Sequence, residues 1–214
     1  MLHRHQLAWL SAAGWRRLLA RGWDTEAHAC LHHWAEHRLP AVVTRQLDDG
    51  SDTLALGLCA PRRWSHRRIA LRVAPGEVLH FGEFPRLEEI VMQLPQGAQP
   101  PARQLAAALQ ACGATARVYG SQGWQHLSGL QHVRDGSDLD LWVGVAGVDH
   151  ADAVAAALDA FSSPSRRLDG ELVFEGDAAV AWREWLAWRG GRVRSLLVKR
   201  LRGASTPSSM EAPA

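Results

Sequence analysis

Apolar and polar residues alternate along the segment 137–145, which reads Ser-Asp-Leu-Asp-Leu-Trp-Val-Gly-Val. Successive side chains of a β-strand point to opposite faces of a sheet, so this alternation predicts a strand. Leu139 and Leu141 would face the interior, while Asp138 and Asp140 would project together from the other face. The pattern therefore predicts two neighbouring carboxylates on a sheet whose opposite face is buried.

The second half of the chain contains further periodic segments, which predict a domain around this strand at residues 102–202. The predicted elements are an alanine-rich helix at 102–112 terminated by Gly113, a strand at 115–119, a short helical piece after the turn Gly120-Ser121, a helix at 148–161 with Asp149 as a candidate cap, a strand at 167–174, and a short helix from Trp182 that ends at Gly190-Gly191. The segment 193–201 fits a strand or a helix.

The N-terminal third has shorter periodic segments, which predict a small α+β domain over residues 1–94. Asp24 can cap a helix that runs from about Thr25 to His37. The later elements are strand-like runs at 41–46, 53–59 and 69–73, a hairpin turn at Asp48-Asp49-Gly50 between the first two, and a helical pattern at 86–94.

Two stretches of the chain lack a periodic pattern. Residues 95–101 are rich in proline, glutamine and glycine, and we predict that they form a linker between the two domains. Residues 203–214 are rich in alanine, serine, threonine and proline, which predicts a disordered tail.

Composition and charge narrow the class of protein. The chain has 214 residues, with 24 Lys and Arg against 22 Asp and Glu, and this slight basic excess argues against nucleic acid as the main partner. Cys30, Cys59 and Cys112 lie far apart, which favours free thiols in a reducing cytosol. The N-terminus lacks the apolar run of a signal peptide, and no stretch reaches a membrane-spanning length. We therefore expect a cytoplasmic protein that binds neither nucleic acid nor a membrane.

The acids and the turn before them predict a specific chemistry. Asp138 and Asp140 repel each other unless a cation lies between them, and hard divalent cations prefer oxygen ligands, so Mg2+ is the expected ion. Gly120 allows backbone N–H groups to approach a phosphate, and the Ser121 hydroxyl either binds that phosphate or caps the following helix. Together these residues indicate nucleotidyl transfer. The alternative is a surface strand with solubilising charges.

The same residues carry a family resemblance. The turn Gly120-Ser121 and the segment Asp138-Leu139-Asp140 resemble the signature of the nucleotidyltransferase superfamily. The longer string resembles one branch, the malonate decarboxylase holo-acyl-carrier-protein synthases, which are phosphoribosyl-dephospho-CoA transferases. Its further elements are Val118-Tyr119, Trp124-Gln125, Leu127, Ser128-Gly129-Leu130, Ser137 and Leu141. The resemblance implies an α/β (α+β) fold, a nucleotidyltransferase-like mixed sheet with flanking helices, plus the small N-terminal α+β domain.

The resemblance also implies a reaction and its partners. The prosthetic group of 2'-(5''-triphosphoribosyl)-3'-dephospho-CoA would be transferred to a serine of the apo acyl-carrier subunit of malonate decarboxylase, with release of pyrophosphate. Two alternatives stay open. One is a generic nucleotidyltransferase that moves AMP from ATP to a small molecule or a protein, and the other is a non-catalytic nucleotidyltransferase-fold protein that binds a ligand or a partner.

Members of the superfamily generally use a third carboxylate from a neighbouring strand, to complete the metal site or to take a proton from the attacking hydroxyl. Asp169 and Glu171 are the candidates, because both would lie on one face of the predicted strand 167–174. Asp138 and Asp140 would be the metal ligands.

Four residues are candidates for substrate contacts. Gly120 and Ser121 would hold the triphosphate. Trp124 would stack on a base or pack beneath the turn, and Lys199 would contact the triphosphate or lie at a surface end of the sheet.

Overall fold

The computed structural model describes residues 2–46, 50–163 and 165–205. Contacts divide the chain into two compact units, residues 1–84 with 124–132, and residues 85–123 with 133–214. Within the described residues, no helix is long and apolar enough to cross a membrane.

The first unit contains an antiparallel sheet and helices. Among the described residues its strands are β1 (Leu7–Leu10), β2 (Ala41–Val43), β3 (Leu54–Cys59), β4 (Arg68–Val73) and β5 (Val78–Gly82), in the order β4-β3-β2-β1-β5. The helices are α1 (Ala12–Leu19) and α2 (Thr25–Glu36), and short 3-10 helices lie at Arg62–Trp64 and Pro75–Glu77. This is the mixture of helices and strands expected for the N-terminal region.

Helix α2 begins where the sequence predicts it. Asp24 is the N-cap, and its side chain accepts a hydrogen bond from the backbone N–H of Ala27 at 2.9 Å, which satisfies one of the free donors of the first turn. Leu31 and Trp34 anchor the helix because both are fully buried. The predicted helix is confirmed, and it ends one residue early, at Glu36.

Three strands of the first unit follow the predicted runs, and two further strands are present. The runs at 41–46, 53–59 and 69–73 correspond to β2, β3 and β4. Strands β1 and β5 were not predicted. Strand β1 has four residues, too few for a period to be recognised, and β5 lacks a buried face that alternates with an exposed one. The two strands pair with each other, and β1 also pairs with β2. Asp48 and Asp49 of the predicted hairpin turn lie outside the described residues.

The second unit contains a mixed sheet with flanking helices. Its described strands are β6 (Ala116–Val118), β7 (Leu139–Gly144), β8 (Leu168–Phe174), β9 (Ala178–Ala181), β10 (Val198–Lys199) and β11 (Ala204–Ser205), in the order β11-β10-β9-β8-β7-β6. Strands β7 and β8 are parallel, and the other neighbouring pairs are antiparallel. The prediction of an α/β (α+β) fold is confirmed.

The helices of the second half are mostly those that the sequence predicts. They are α3 (Leu87–Ile90), α4 (Gln99–Ala111), α5 (Gly120–Ser128), α6 (Val148–Asp159) and α7 (Trp182–Arg189), with short 3-10 helices at Val91–Gln93, Gln96–Ala98 and Glu175–Asp177. The residues of α5 from Trp124 onward belong to the first unit. Apolar residues of α4, α6 and α7 pack with the sheet in one core.

The division between the units differs from the predicted linker at 95–101. The first unit ends at Phe84, and residues 95–101 lie within the second unit. Ala98 is fully buried in its core. Pro100 and Pro101 lie in the first turn of α4, where proline is tolerated because the N–H groups of that turn have no partner in the helix. Prolines that begin a helix were therefore interpreted as a linker.

Further local differences occur toward the C-terminus. Gly147 is the N-cap of α6, and Asp149 lies in its first turn rather than at the cap. The ambiguous segment 193–201 contains the strand β10. Ala204–Ser205, which we expected in the disordered tail, pairs with β10 as β11. The tail from residue 206 lies outside the described residues.

Strand β7 has the predicted alternation. From Leu139 to Val143 the odd-numbered residues are buried and the even-numbered ones are only partly buried. In the parallel register of β7 and β8, Asp140 lies beside Asp169. The pairing therefore brings acids from two different strands onto one face of the sheet.

Candidate functional site

Three carboxylates meet on this face of the sheet. Asp138, Asp140 and Asp169 each offer an oxygen atom, and these atoms lie within 4.8 Å of one another. Asp140 and Asp169 are register neighbours, and Asp138 precedes β7 by one residue. The structure thus brings together both predicted metal ligands and one of the two candidates for the third acid.

Glu171, the other candidate, has a different partner. Its side chain is buried, and its Oε1 accepts a hydrogen bond from Lys199 Nζ at 2.8 Å. Glu171 lies beside Trp142, two register pairs further along the strands than Asp169, a step of about 6.6 Å. Lys199, which we predicted at the triphosphate or at a surface end of the sheet, therefore neutralises a buried carboxylate.

The turn at the start of α5 packs directly against Asp140. Gly120 has a φ of +61°, and a Cβ atom at this position would overlap Oδ2 of Asp140. The backbone N–H of Tyr119 donates to the carbonyl oxygen of Asp140 at 3.1 Å. Ser121 follows in the first turn of α5, where backbone N–H groups have no partner within a helix. The turn can therefore present N–H groups and a hydroxyl beside Asp140.

A second glycine shapes the strand that carries the third acid. Gly170 has a φ of +146°, and a Cβ there would overlap the backbone carbonyl oxygen of Leu141. Its N–H donates to Asp169 Oδ1 at 2.9 Å. The sequence pattern did not identify Gly170 as part of the site, although a glycine inside a predicted strand indicates a close backbone approach.

Arg167 also belongs to the site, and the sequence assigned it no role. It donates two hydrogen bonds to Asp138, from Nε to Oδ1 at 3.0 Å and from Nη2 to Oδ2 at 2.5 Å. Its Nη2 is 4.0 Å from Asp169 Oδ2. The guanidinium group holds the pKa of Asp138 below its usual range, chiefly through these hydrogen bonds. A signal was present in the sequence, since Arg167 directly precedes the acid-bearing strand β8.

The surroundings of Asp140 shift its pKa in the opposite direction, upward. Burial, followed by repulsion from Asp169 and Asp138, raises the pKa of Asp140 to about 6. Negative charge is therefore in excess around its carboxylate, and a cation between the three acids would relieve it. Carboxylate oxygens are also the ligands that hard divalent cations prefer. By charge and by donor chemistry, these residues fit the expected Mg2+.

Trp124 lies in the core of the first unit. Its side chain is 3% exposed, and its ring packs edge-on against Phe84 with the centroids 5.5 Å apart. This position corresponds to the packing alternative and not to base stacking. Nearby residues of the same motif fix the chain locally, because Gln125 Oε1 accepts from the backbone N–H of His132 at 3.2 Å and Ser128 Oγ lies 3.0 Å from His132 Nε2.

Known protein families match both halves of the chain. The family described as phosphoribosyl-dephospho-CoA transferase MdcG C-terminal domain matches residues 86–209, and the family described as the N-terminal domain of the same transferase matches residues 3–84. These two ranges meet at 84–86, where the contacts also divide the chain. No solved structure gives a significant match.

Curated relatives that match over most of their length have the same name. A phosphoribosyl-dephospho-CoA transferase of Bradyrhizobium diazoefficiens is 35% identical over 92% of this chain and 86% of its own length. Transferases of the same name from Xanthomonas euvesicatoria and Xanthomonas axonopodis are 32% and 33% identical, each over 93% of this chain and 91% of its own length. The predicted resemblance, and with it the prediction of a transferase, is confirmed. The chain belongs to the phosphoribosyl-dephospho-CoA transferase family.

Proposed function

We propose that the protein transfers the 2'-(5''-phosphoribosyl)-3'-dephospho-CoA group from its triphosphate precursor to a serine of the apo acyl-carrier subunit of malonate decarboxylase, with release of pyrophosphate. The observation that carries the proposal is the cluster of Asp138, Asp140 and Asp169 packed against the turn at Gly120. Membership of the transferase family supports the donor. The identity of the carrier and that of the leaving group are inferred from the resemblance of the sequence motifs to the family.

The three aspartates would hold Mg2+, which supplies positive charge to the donor's phosphate oxygens when it is bound. The first turn of α5 would bind the outer phosphates. Gly120 allows the backbone N–H groups to come close, and the Ser121 hydroxyl offers a further donor. Both contacts would align the bond to the leaving pyrophosphate.

Asp169 is the acid that we assign to proton transfer. In the reaction the serine oxygen of the carrier forms a bond with the α-phosphorus, and the bond from that phosphorus to the bridging oxygen of the leaving pyrophosphate breaks. The serine proton passes to an Asp169 carboxylate oxygen and then to water. Asp169 suits this step because its side chain is 44% exposed, whereas Glu171 is buried and paired with Lys199.

The test is a measurement of the intact mass of the carrier. The protein is incubated with Mg2+, the apo carrier and either the triphosphoribosyl donor or ATP. We expect a mass gain equal to the phosphoribosyl-dephospho-CoA group with the donor and none with ATP. A carrier without mass gain would contradict the proposal, and an AMP adduct formed from ATP at the same rate would indicate the generic nucleotidyltransferase instead.

A further inference from the structure

A cavity of about 650 Å3 opens beside Asp138, at the amino ends of β7 and β8. Its wall comes from the residues before these strands, the end of α6 with the loop after it, and the first residues of α7. Asp138 belongs to both the acid cluster and this wall, whereas Gly120 and Ser121 do not line the cavity. Its volume is typical of a small-molecule site, which spans about 300–1,000 Å3. The cavity thus adjoins the acids but is separate from the turn of α5.

The described part of the wall carries an excess of positive charge. Its guanidinium groups belong to Arg166, Arg167 and Arg183, and its carboxylates to Asp138 and the exposed Asp159. Because Arg167 already pairs with Asp138, the other two arginines determine the character of the remaining wall. Arginine binds phosphate oxygens well, since its planar fork offers parallel N–H donors.

Two donors of the wall are buried without an acceptor among the described residues, Nε1 of Trp182 and Nε of Arg166. Trp182 is 2% exposed, and the guanidinium carbon of Arg183 lies 4.1 Å from its ring centroid. Arg183 is further fixed by a hydrogen bond from Nη2 to the carbonyl oxygen of Leu168 at 2.9 Å. Buried donors nearly always have an acceptor, so these groups indicate a ligand rich in acceptor oxygens.

We propose that this cavity binds the adenosine diphosphate portion of the dephospho-CoA donor. The inference rests on the proposed function. In the donor a single ribose joins the reacting phosphorus to the adenosine, so the adenosine must lie close to the acids. The diphosphate on the far side of that adenosine supplies acceptor oxygens for Arg166 and Arg183.

The position of the phosphates relative to adenosine distinguishes the donor from ATP. All the phosphates of ATP lie on the reacting side of its adenosine, so ATP with its α-phosphate at the acids has no second diphosphate to place in the cavity. Arg166 and Arg183 are therefore residues that determine donor specificity.

The test is calorimetric titration of the full-length protein with 3'-dephospho-CoA, ADP and tripolyphosphate, without divalent metal. We expect Arg166→Gln and Arg183→Gln each to weaken the binding of dephospho-CoA and ADP by about tenfold, the loss of one charge-assisted contact. Tripolyphosphate should bind the variants as it binds the wild type. Arg192→Gln is the matched control, because Arg192 is exposed and does not line the cavity.

Three results would overturn the inference. The first is that the wild type fails to bind dephospho-CoA. The second is that both variants bind dephospho-CoA with unchanged affinity. The third is that the variants lose affinity for tripolyphosphate and keep their affinity for dephospho-CoA. Carrier labelling by the wild type separates this inference from the proposed function. If labelling occurs while both variants bind dephospho-CoA normally, the subsite is wrong and the function stands. If labelling fails while dephospho-CoA binding depends on both arginines, the function is wrong and the subsite stands.

Discussion

Gly120 lies directly against the carboxylate of Asp140, closely enough that even a Cβ atom on Gly120 would overlap Oδ2. The turn that we propose to bind phosphate and the central acid of the cluster are therefore one packed unit. The backbone hydrogen bond from Tyr119 to Asp140 joins them a second time. Any displacement of the turn must move the acid as well, so phosphate binding and metal binding should fail together.

Replacing Gly120 by alanine should destabilise the protein by about 1–3 kcal/mol and slow transfer on the order of 100-fold. The cause is the positive φ together with the displaced Asp140 carboxylate. Gly113→Ala is the control, because Gly113 also has a positive φ, +76°, but a Cβ there meets nothing within 4 Å. Denaturant unfolding and single-turnover transfer measure both effects. Equal rates for the two variants would contradict this account.

The alternation at 137–145 was sufficient to predict Asp138 and Asp140 on one face, because strand periodicity is a local property. The third acid depends on a pairing between distant segments. Asp169 and Glu171 share a face in sequence terms, and only the register of β8 on β7 places Asp169 beside Asp140. The bidentate contact of Arg167 with Asp138 likewise joins distant segments, because each residue directly precedes a different strand.

Contacts between distant segments also decide the role of a residue in the core of the first unit. The sequence left open whether Trp124 stacks on a base or packs, and that choice depends on residues such as Phe84, 40 positions earlier, that surround the ring. The domain boundary was misplaced because proline is common both in linkers and in the first turn of helices such as α4.

Mg2+ should stabilise the wild-type protein against thermal unfolding. A ligand at about a hundred times its Kd contributes about 3 kcal/mol, and the three acids are the ligands that we expect. Asp140→Asn should lose this stabilisation, whereas Asp149→Asn, on the exposed first turn of α6, should keep it. Thermal unfolding with Mg2+ and with chelator measures the difference. An unchanged Mg2+ effect in Asp140→Asn would exclude this cluster as the metal site.

Lys199→Met should destabilise the protein by about 3 kcal/mol, because it removes the ammonium group that pairs with the buried Glu171 carboxylate. The double variant Lys199→Met with Glu171→Gln should recover most of that loss. Urea unfolding of the single and double variants measures the coupling. The KM for the donor should stay near the wild-type value in Lys199→Met; a large rise in KM in a stably folded variant would indicate instead that Lys199 contacts the triphosphate.

Stability should fall with acidification through a histidine of the first unit. Burial, and secondarily the charge of His66, lowers the pKa of His132 to about 4. Between pH 6.5 and 4 the unfolded chain therefore binds a proton that the folded protein does not, so the free energy of unfolding decreases as the pH falls. The full effect is about 3 kcal/mol.

His132→Gln should reduce this pH dependence, and His28→Gln, which changes an exposed histidine, should leave it unaltered. The measurement is urea unfolding at several pH values between 4 and 7. Parallel curves for His132→Gln and the wild type would show that His132 is not the group responsible.

The most direct test of the central claim follows two products in one reaction, the modified carrier by intact mass and the released pyrophosphate. With Mg2+, the triphosphoribosyl donor and the apo carrier, the wild type should form both in equal amounts. Asp140→Asn, folded as judged by circular dichroism, should form neither. Carrier modification without pyrophosphate, or undiminished transfer by Asp140→Asn, would contradict the assignment of this acid cluster as the site of transfer.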